Sequence, residues 1–362
     1  MRAAFGRAGF VLLTVMQFLY PFIAMISYNV IIGDTVTKII ARIGGVHIVN
    51  TVLERRQFVI CAVTLLVTLP ISLYKNVAKM AKLSLMSILF VIFIIGVMIA
   101  RGFTLPIPAS EDAWQFANTG VTSAIGIMAF AYMCHHNSFL IYDSMIEPTE
   151  KSWGALTHIS MVFSMACTLV LGITGYATFT GFSQGDILEN YCQSDDLVNV
   201  ARLLYACTIM LTFPIECFVT RQVLENSVFA FTQPAPLWRH VIVTVVIVVL
   251  SVGASMATDC LGFVLELNGV MNAAPMAYVF PALCVMKLQN DRILSWKNVP
   301  CILTAVFGIL VCGVGVSVAV LEMIKGVDCS HGREMAYCLS PSPPHNLTAH
   351  SFGASMWTTP AP

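Results

Sequence analysis

The sequence predicts an all-α, polytopic membrane protein with about nine transmembrane helices, and three observations carry this prediction. Hydrophobic residues make up 57% of the 362-residue chain and charged residues only 10%, whereas a soluble domain carries roughly 25% charged residues. The apolar residues are gathered in runs long enough to cross a lipid bilayer. The net charge is zero and no basic or acidic block is present, which argues against nucleic acid as a partner.

Nine apolar windows, each near the ~17–25 residues that a spanning helix needs, define the predicted spans. They lie near residues 9–33, 58–74, 83–100, 118–142, 159–181, 197–219, 240–257, 260–286 and 300–323. The first window is longer than the ~7–15 residues of a secretory signal core, so we interpret it as a retained span. Only Thr258 and Asp259 separate the seventh and eighth windows, which predicts a tight helical hairpin or a single long feature.

Charged residues between the spans predict the orientation. Cations crowd three connections on the side of Arg2 and Arg7, at Lys75, Lys79, Lys82, Arg221, Arg239, Lys287, Arg292 and Lys297. The opposite connections carry the acids Glu111, Asp112, Asp186, Glu189, Asp195 and Asp196. The positive-inside bias therefore predicts a cytosolic N-terminus and an extracellular or luminal C-terminus. Four cations on the wrong side, Lys38, Arg42, Arg55 and Arg56, weaken this prediction.

The last residues, 325–362, differ in composition from the transmembrane domain at 1–324. They are rich in Pro, Ser and Thr, so we expect a disordered extracellular or luminal tail. The sequon Asn346-Leu347-Thr348 is a candidate glycosylation site on that face, although such triplets also occur by chance and stay unmodified. Cys329 and Cys338 share the same oxidising side and are candidates to form a disulfide across a short loop.

The fourth window, Gly120–Asp143, contains many polar side chains for a membrane span. They include Thr122, Ser123, Tyr132, His135, His136, Asn137, Ser138 and Tyr142. Hydrocarbon satisfies none of these donors and acceptors, so they must face protein, water or a ligand. The two adjacent histidines point about 100° apart on a helix, unlike a metal-binding i, i+4 pair. Their ordinary pKa near ~6.5 allows proton dependence; the alternative is that they lie at a cytosolic helix end.

The sixth window predicts an ion site. Thr208, Thr212 and Glu216 recur every four residues and therefore stack on one helical face. Pro214 lacks a backbone donor, which frees the carbonyl of Met210. Hydroxyl and carbonyl oxygens suit a hard cation such as Na⁺, and the carboxylate supplies charge or carries a proton. The alternative is that both threonines bond their own helix while Glu216 pairs with Arg221.

The eighth and first windows carry further polar candidates. Glu266, Asn268, Gly269, Asn272, Pro275 and Pro281 occur in the eighth window. Two prolines and a glycine predict an interrupted helix that lines a cavity, while Glu266 either carries charge there or simply extends outward or caps a turn. Tyr20 in the first window either reaches a solute or packs with its hydroxyl bonded.

Two common catalytic signatures are missing from the sequence. It contains no G-x-x-x-x-G-K-[ST] and no H-E-x-x-H motif, so we expect neither ATP hydrolysis through such a site nor a zinc protease. We predict no organic cofactor.

Several stretches together resemble a known family. They are QFLYPFIAMISYNVIIGDT, LPISLYKNVAKMAKLSL, FAYMCHHNSFLIYDSMIEPT, YATFTGFSQGDILENYC, LTFPIECFVTR and DCLGFVLELNGV. These stretches resemble the sodium-coupled neutral amino acid transporters of the amino acid/auxin permease family. The resemblance implies a LeuT-type fold of two inverted five-helix repeats plus one helix. It also implies secondary transport of small neutral amino acids coupled to Na⁺, in some members with H⁺ in exchange.

The resemblance also assigns residues to a site. The fourth window resembles the family's opened sixth helix, so Ala129, Phe130, Tyr132 and His135 are expected to face the substrate, and we add Tyr20 from the first window. Thr212 occupies the family's L-T-x-P position and is expected to bind Na⁺ with Thr208, while Glu216 and Glu266 are the charge or proton candidates.

One departure from the family changes the functional expectation. The family has eleven spans, and this sequence starts where the third would start, without the discontinuous first helix that supplies half of the site. We therefore expect impaired transport from a shortened form. The alternative is a non-transporting sensor or regulatory membrane protein; a channel is disfavoured because no filter motif is evident. We expect the plasma membrane rather than the lysosome.

Overall fold

The computed structural model describes residues 1–45, 51–74, 81–105, 113, 120–229, 235–258, 260–289, 295–326 and 335–339. Thirteen α-helices are found in these ranges. The longer helices are α1 (Arg2–Gly44), α4 (Ala81–Thr104), α7 (Glu150–Phe179), α8 (Asp196–Val228), α9 (Leu237–Ser255) and α12 (Val299–Lys325). The shorter helices are α2 (Arg56–Val63), α3 (Leu69–Ser72), α5 (Val121–Ala131), α6 (His135–Asp143), α10 (Leu261–Asn268), α11 (Phe280–Leu288) and α13 (Ala336–Leu339). No strand occurs among the described residues.

The predicted fold class, an all-α polytopic membrane protein, is confirmed. Seven helical segments of the described chain are long and apolar enough to cross a membrane. The two remaining predicted windows are also helical but differ from a regular span. The second is the shorter apolar segment Arg56–Ser72, which contains a π-helical turn at Thr64–Thr68, and the fourth is divided between α5 and α6.

Helix α1 is the central element of the bundle, and it packs most extensively against α8 and also against α9, α10 and α2. Its buried residues lie mainly between Tyr20 and Ile39, where small residues allow close approach. A Cβ atom on Gly33 would lie 2.8 Å from the side chain of Ile60, so α2 is seated directly against this glycine. The N-terminal end bends at Gly6, whose φ of 62° is accessible to glycine.

We predicted an interrupted helix for Leu261–Leu288, and the structure shows a helix without a break. The helix continues through two π-helical turns, Gly269–Ala273 and Pro275–Val279, instead of opening. A π turn widens the helix and lets the chain continue past a proline that lacks a donor. The seventh and eighth windows are two helices rather than a single long one, since α9 ends at Ser255 and α10 begins at Leu261.

The connection between α7 and α8, here called the 183–195 loop, is bound tightly to the helices around it. Lys38 of α1 forms an ion pair with Glu189 at 2.8 Å, and both side chains are at most 9% exposed. The buried guanidinium of Arg202 donates to the carbonyl oxygens of Leu188 and Tyr191. These contacts satisfy backbone groups that would otherwise be costly to bury.

Three of the four cations that weakened the predicted orientation have carboxylate partners. Lys38 pairs with Glu189 and Arg42 with Asp196, at 2.8 and 2.9 Å. Arg56 pairs with Asp34 in the same way. These three cations join α1 to the 183–195 loop, to α8 and to α2.

The predicted Cys329–Cys338 disulfide is wrong, because Cys338 is bonded to Cys192 of the 183–195 loop across 146 residues of sequence. Proximity in sequence suggested the wrong partner, since folding brings distant loops together. Cys260 is disulfide-bonded as well, and Cys329 lies outside the described residues.

The prediction of a disordered tail does not hold for its described part. Residues Ala336–Leu339 form a short helix, and the Tyr337 hydroxyl donates to the carbonyl oxygen of Asn190. The disulfide and this hydrogen bond hold the segment on the 183–195 loop. The sequon at Asn346 lies outside the described residues.

Candidate functional site

The candidate site is built on the break in the fourth span. Helix α5 ends at Ala131 and α6 begins at His135, so Tyr132, Met133 and Cys134 connect two half-helices. The predicted opening of this span is therefore confirmed. A broken backbone is tolerated at membrane depth only where protein or a cavity surrounds it.

Tyr20 of α1 closes this break. Its hydroxyl donates to the carbonyl oxygen of Phe130 at 2.9 Å and approaches that of Met133 at 3.4 Å. Its ring centroid lies 5.5 Å from that of Phe130 and 4.7 Å from that of His136. Tyr20 is 4% exposed, so the alternative that it packs with its hydroxyl bonded describes this conformation.

His136 of α6 and Glu216 of α8 are in buried hydrogen-bond contact beside Tyr20. The Nε2 atom lies 3.1 Å from the Glu216 carboxylate, and the two side chains are 3% and 9% exposed. Nδ1 of His136 has no hydrogen-bond partner among the described residues. Tyr20, Phe130, Met133, His136 and Glu216 are called the central cluster below.

The structure decides two points about these residues. Glu216 does not pair with Arg221, because the Arg221 guanidinium donates to the Ser72 carbonyl and the Thr244 hydroxyl. His135, the histidine chosen for the site, is exposed, and its neighbour His136 faces the cluster. Adjacent helical residues point about 100° apart, so only one of the two can face a given side.

Asn268 at the end of α10 and the π-helical turn that follows it also support the central cluster. The Asn268 amide donates to the Tyr20 carbonyl at 3.1 Å, and Asn272 donates to Asn268 at 2.9 Å. The backbone of the π-helical turn also contacts the backbone of α5, since a Cβ atom on Gly269 would lie 1.8 Å from the Gly126 carbonyl oxygen. This contact fixes α5 against the segment and thereby positions the break.

Of the remaining substrate candidates, Ala129 is buried in the same cluster as Tyr20, and Phe130 packs against that cluster. Ala129 and Tyr132 also line a groove of about 660 Å³ between α5, α7 and α12, and neither Tyr20 nor Phe130 lines it. The groove is largely apolar, with wall residues that include Ile125, Met128 and Phe307. The structure therefore brings Tyr20, Phe130 and Ala129 together, while Tyr132 borders the groove and His135 is exposed.

The threonines of the predicted sodium site bond their own helix. The Thr208 hydroxyl donates to the Leu204 carbonyl at 2.9 Å and the Thr212 hydroxyl to the Thr208 carbonyl at 2.8 Å. Helix α8 is continuous through Pro214. A hydroxyl that donates in this way keeps its oxygen lone pairs available to a cation.

Glu266 is buried at 3% exposure and receives a hydrogen bond from Ser123, while its Oε1 atom has no hydrogen-bond partner among the described residues. The alternative that it extends outward into solvent is therefore wrong. Its side chain packs against Gly126, whose Cβ position would lie 3.3 Å from Glu266 Cγ. It borders the α5 contact rather than the central cluster.

Sequence reasoning missed three participants in the site. His136 was recognised as one of two histidines, but no pattern told which would face inward. Asn268 was noted as polar, although its partner, a backbone carbonyl of α1, gives no sequence signal. Met133 contributes only its carbonyl oxygen, which the side chain does not reveal.

A polytopic all-helical bundle with a broken, polar-lined span is the architecture of a membrane transporter, and the sequence agrees. Residues 1–322 match the family described as "Transmembrane amino acid transporter protein". The chain belongs to this family, and it is therefore a transporter protein and not an enzyme.

Individual relatives narrow the class. The chain is 46% identical to "Putative sodium-coupled neutral amino acid transporter 11" of Danio rerio, over 93% of the chain and 75% of the relative. The protein of the same name in Homo sapiens is 45% identical over 92% of the chain and 81% of its own length. "Vacuolar amino acid transporter 2" of Saccharomyces cerevisiae is 28% identical over 90% of the chain and 71% of its length. The chain is thus an amino acid transporter of the sodium-coupled neutral amino acid transporter family.

Proposed function

We propose that this protein is a secondary active transporter of small neutral amino acids, coupled to Na⁺ and exchanging H⁺, within a LeuT-type inverted-repeat fold. The break between α5 and α6 is the observation that carries the proposal. Two carbonyl oxygens, of Phe130 and Met133, point at a single hydroxyl there. The same acceptors suit the ammonium group of an amino acid, once Tyr20 gives them up.

The proposed proton site is the His136–Glu216 pair. A carboxylate and an imidazole in contact share one proton between them, and burial makes the state of that proton depend on neighbouring charges. Because the pair joins α6 to α8, taking up a proton on Glu216 would weaken the contact between these helices. Glu266 is a second buried carboxylate that can carry charge in the transport cycle.

The proposed sodium site is on α8. The Thr212 and Thr208 hydroxyls and the Met210 carbonyl that Pro214 leaves without a helical donor are all hard oxygen ligands. The names of the relatives support sodium as the coupling ion. Ligands from other parts of the transporter would complete the coordination shell.

A second candidate is a non-transporting sensor or regulatory membrane protein with a transporter fold. It is favoured by the closed state of the cluster, in which Tyr20 occupies the carbonyls that the substrate would need. Such a protein would bind an amino acid without moving it.

For the membrane arrangement, we propose a cytosolic N-terminus, an extracellular or luminal C-terminus and the plasma membrane as the site of action. The Cys192–Cys338 disulfide supports this orientation, because a disulfide between a loop and the C-terminal segment suits an oxidising compartment.

Uptake of labelled alanine or glutamine into proteoliposomes that contain the purified chain tests the function. We expect Na⁺-dependent uptake. Binding of amino acid without uptake would favour the sensor.

Two substitutions test the coupling sites in the uptake assay. Thr212→Ala should raise the Na⁺ concentration for half-maximal uptake about tenfold, the equivalent of ~1.4 kcal/mol. Thr304→Ala is the matched control, because its exposed hydroxyl also bonds its own helix. Glu216→Gln should remove the dependence of uptake on pH, whereas Glu150→Gln, at the exposed start of α7, should leave it. Unchanged Na⁺ and pH responses would remove Thr212 and Glu216 from these roles.

A further inference from the structure

A second cavity lies under the 183–195 loop, away from the central cluster. Its volume is about 400 Å³, and α4, α7, α8 and α10 form its walls. The walls are mostly aliphatic, including Ile94, Met98, Leu171, Leu261 and Leu265. The polar groups at this cavity are Asp186 and Gln184 of the loop and Tyr205 of α8. A small ligand site is usually built in this way, with apolar walls and a few polar groups.

The charges around the cavity leave one carboxylate unbalanced. Lys38 is engaged by Glu189 and Arg56 by Asp34. Asp186 forms no ion pair within the described part of the chain; its carboxylate accepts a hydrogen bond from the Leu188 amide at 3.0 Å. The buried guanidinium of Arg202 is bound to the carbonyl oxygens of Leu188 and Tyr191, so the Asp186 carboxylate borders the cavity without a cation in contact among the described residues.

An unbalanced carboxylate at the wall of an apolar cavity selects a ligand with one positive charge and a hydrophobic body. We propose that this cavity binds a primary ammonium compound with a short aliphatic side chain, its ammonium group on Asp186 and its alkyl group against Leu261, Leu265 and Met98. The Tyr205 hydroxyl borders the cavity as an additional acceptor. An amino acid and a simple amine both present this chemistry, and they are distinguished by the test.

The site is independent of the proposed transport cycle. None of its lining residues belongs to the central cluster or to the proposed sodium site. The 183–195 loop carries the Cys192–Cys338 disulfide, so the cavity lies next to a segment that is held by a covalent bond. Binding here can therefore be measured without any transport.

The pKa of Asp186 is raised to about 7 by burial and by the neighbouring Glu189 and Asp34, while the Leu188 amide and Lys38 act in the opposite direction. Tyr205 of α8 also lies near this carboxylate. Since the ammonium group binds the ionised carboxylate, affinity should increase as the pH rises through 7. One pH unit above the pKa about nine-tenths of the carboxyl groups are ionised, and one unit below about a tenth, so the dissociation constant should rise about tenfold.

Binding of isopentylamine to the purified full chain in lipid nanodiscs tests the proposal, with isopentanol as the uncharged probe of the same shape. We expect saturable amine binding at pH 8, about tenfold weaker binding at pH 6, and little binding of the alcohol. Leucine and leucinamide, added as competitors, tell whether a carboxylate on the ligand is tolerated. Equal affinities for amine and alcohol, or no saturable amine binding, would overturn the proposal.

Variants locate the binding. Asp186→Asn should abolish amine binding, while Asp196→Asn, which removes an exposed charge from the same side of the protein, should not. Leu265→Trp fills the cavity and leaves the carboxylate in place, and it should also abolish binding. It keeps the test decisive if Asp186→Asn folds poorly. Retained amine affinity in Leu265→Trp would contradict this assignment.

Discussion

The 183–195 loop and the central cluster are both polar and both buried, yet they are held in different ways. The loop is fixed by a disulfide, by the Lys38–Glu189 pair and by a buried arginine that binds two carbonyls. The central cluster depends on one tyrosine hydroxyl and one histidine–glutamate contact. The first arrangement resists movement, whereas the second consists of contacts that a ligand or a proton can replace.

This difference follows the division of work that a carrier requires. Alternating access needs one part of the bundle to stay in place while another part rearranges. A hydroxyl on two carbonyls can be exchanged for another donor at little net cost, because one hydrogen bond is substituted for another. A covalent bond and buried ion pairs offer no such exchange. Mutations in the loop should therefore lower stability, and mutations in the cluster should mainly alter transport.

The largest loss of stability is expected from Lys38→Met. It leaves Glu189 buried without its cation, and breaking a buried pair costs ~3–5 kcal/mol. Thermal unfolding in detergent measures the loss. Arg42→Met is the matched control, because its pair with Asp196 is exposed at 44% and 79% and should contribute at most ~1 kcal/mol. Equal losses in the two variants would show that burial of the loop pair is unimportant.

A smaller loss is expected from the double substitution Cys192→Ser and Cys338→Ser. The disulfide closes a loop of 146 residues, and such bonds typically contribute ~2–4 kcal/mol. Thermal unfolding without reductant measures this, because reductant would also break the disulfide of Cys260. The free, exposed Cys61 gives the control Cys61→Ser, which should behave as wild type. A double variant that unfolds at the same temperature as Cys61→Ser would contradict the prediction.

A third change tests the frame around the cluster. Gly269→Ala would place a Cβ atom 1.8 Å from the Gly126 carbonyl oxygen, so the two backbones must separate, at a cost of ~1–3 kcal/mol. We expect lower thermal stability together with reduced uptake. Gly253→Ala is the control, because no atom lies within 4 Å of its Cβ position. Normal uptake in Gly269→Ala would argue against a role for this contact in positioning the break.

The smallest loss of stability, about 1 kcal/mol, is expected from Tyr20→Phe, which removes one hydrogen-bond donor and keeps the ring. Its functional effect should exceed its effect on stability, because the Phe130 and Met133 carbonyls are then open to another donor. Amino acid affinity and uptake rate, measured with thermal stability, separate the two. Unchanged binding and uptake would mean that this hydroxyl does not control the site.

The sequence predicted the fold class, the positions of the helices and the break in the fourth span, because apolar length and misplaced polar groups are local signals. It did not predict the Cys192–Cys338 pair, whose members are brought together by folding. It also chose His135 over His136, since the direction of a side chain depends on where the half-helix begins. The sequence does not distinguish the π turns near Pro275 from a break, because either one accommodates a proline that lacks a backbone N–H donor.

The Cys192–Cys338 disulfide also limits how many times the chain between its two cysteines can cross the bilayer. Two residues joined by a disulfide must be on the same side of the bilayer, so the polypeptide between them traverses it an even number of times. Four helical segments lie in this interval: α8, α9, Leu261–Leu288 and α12. If the other three traverse the bilayer, then Leu261–Leu288 must do so completely, and its widened turns cannot belong to a segment that enters and leaves on one side.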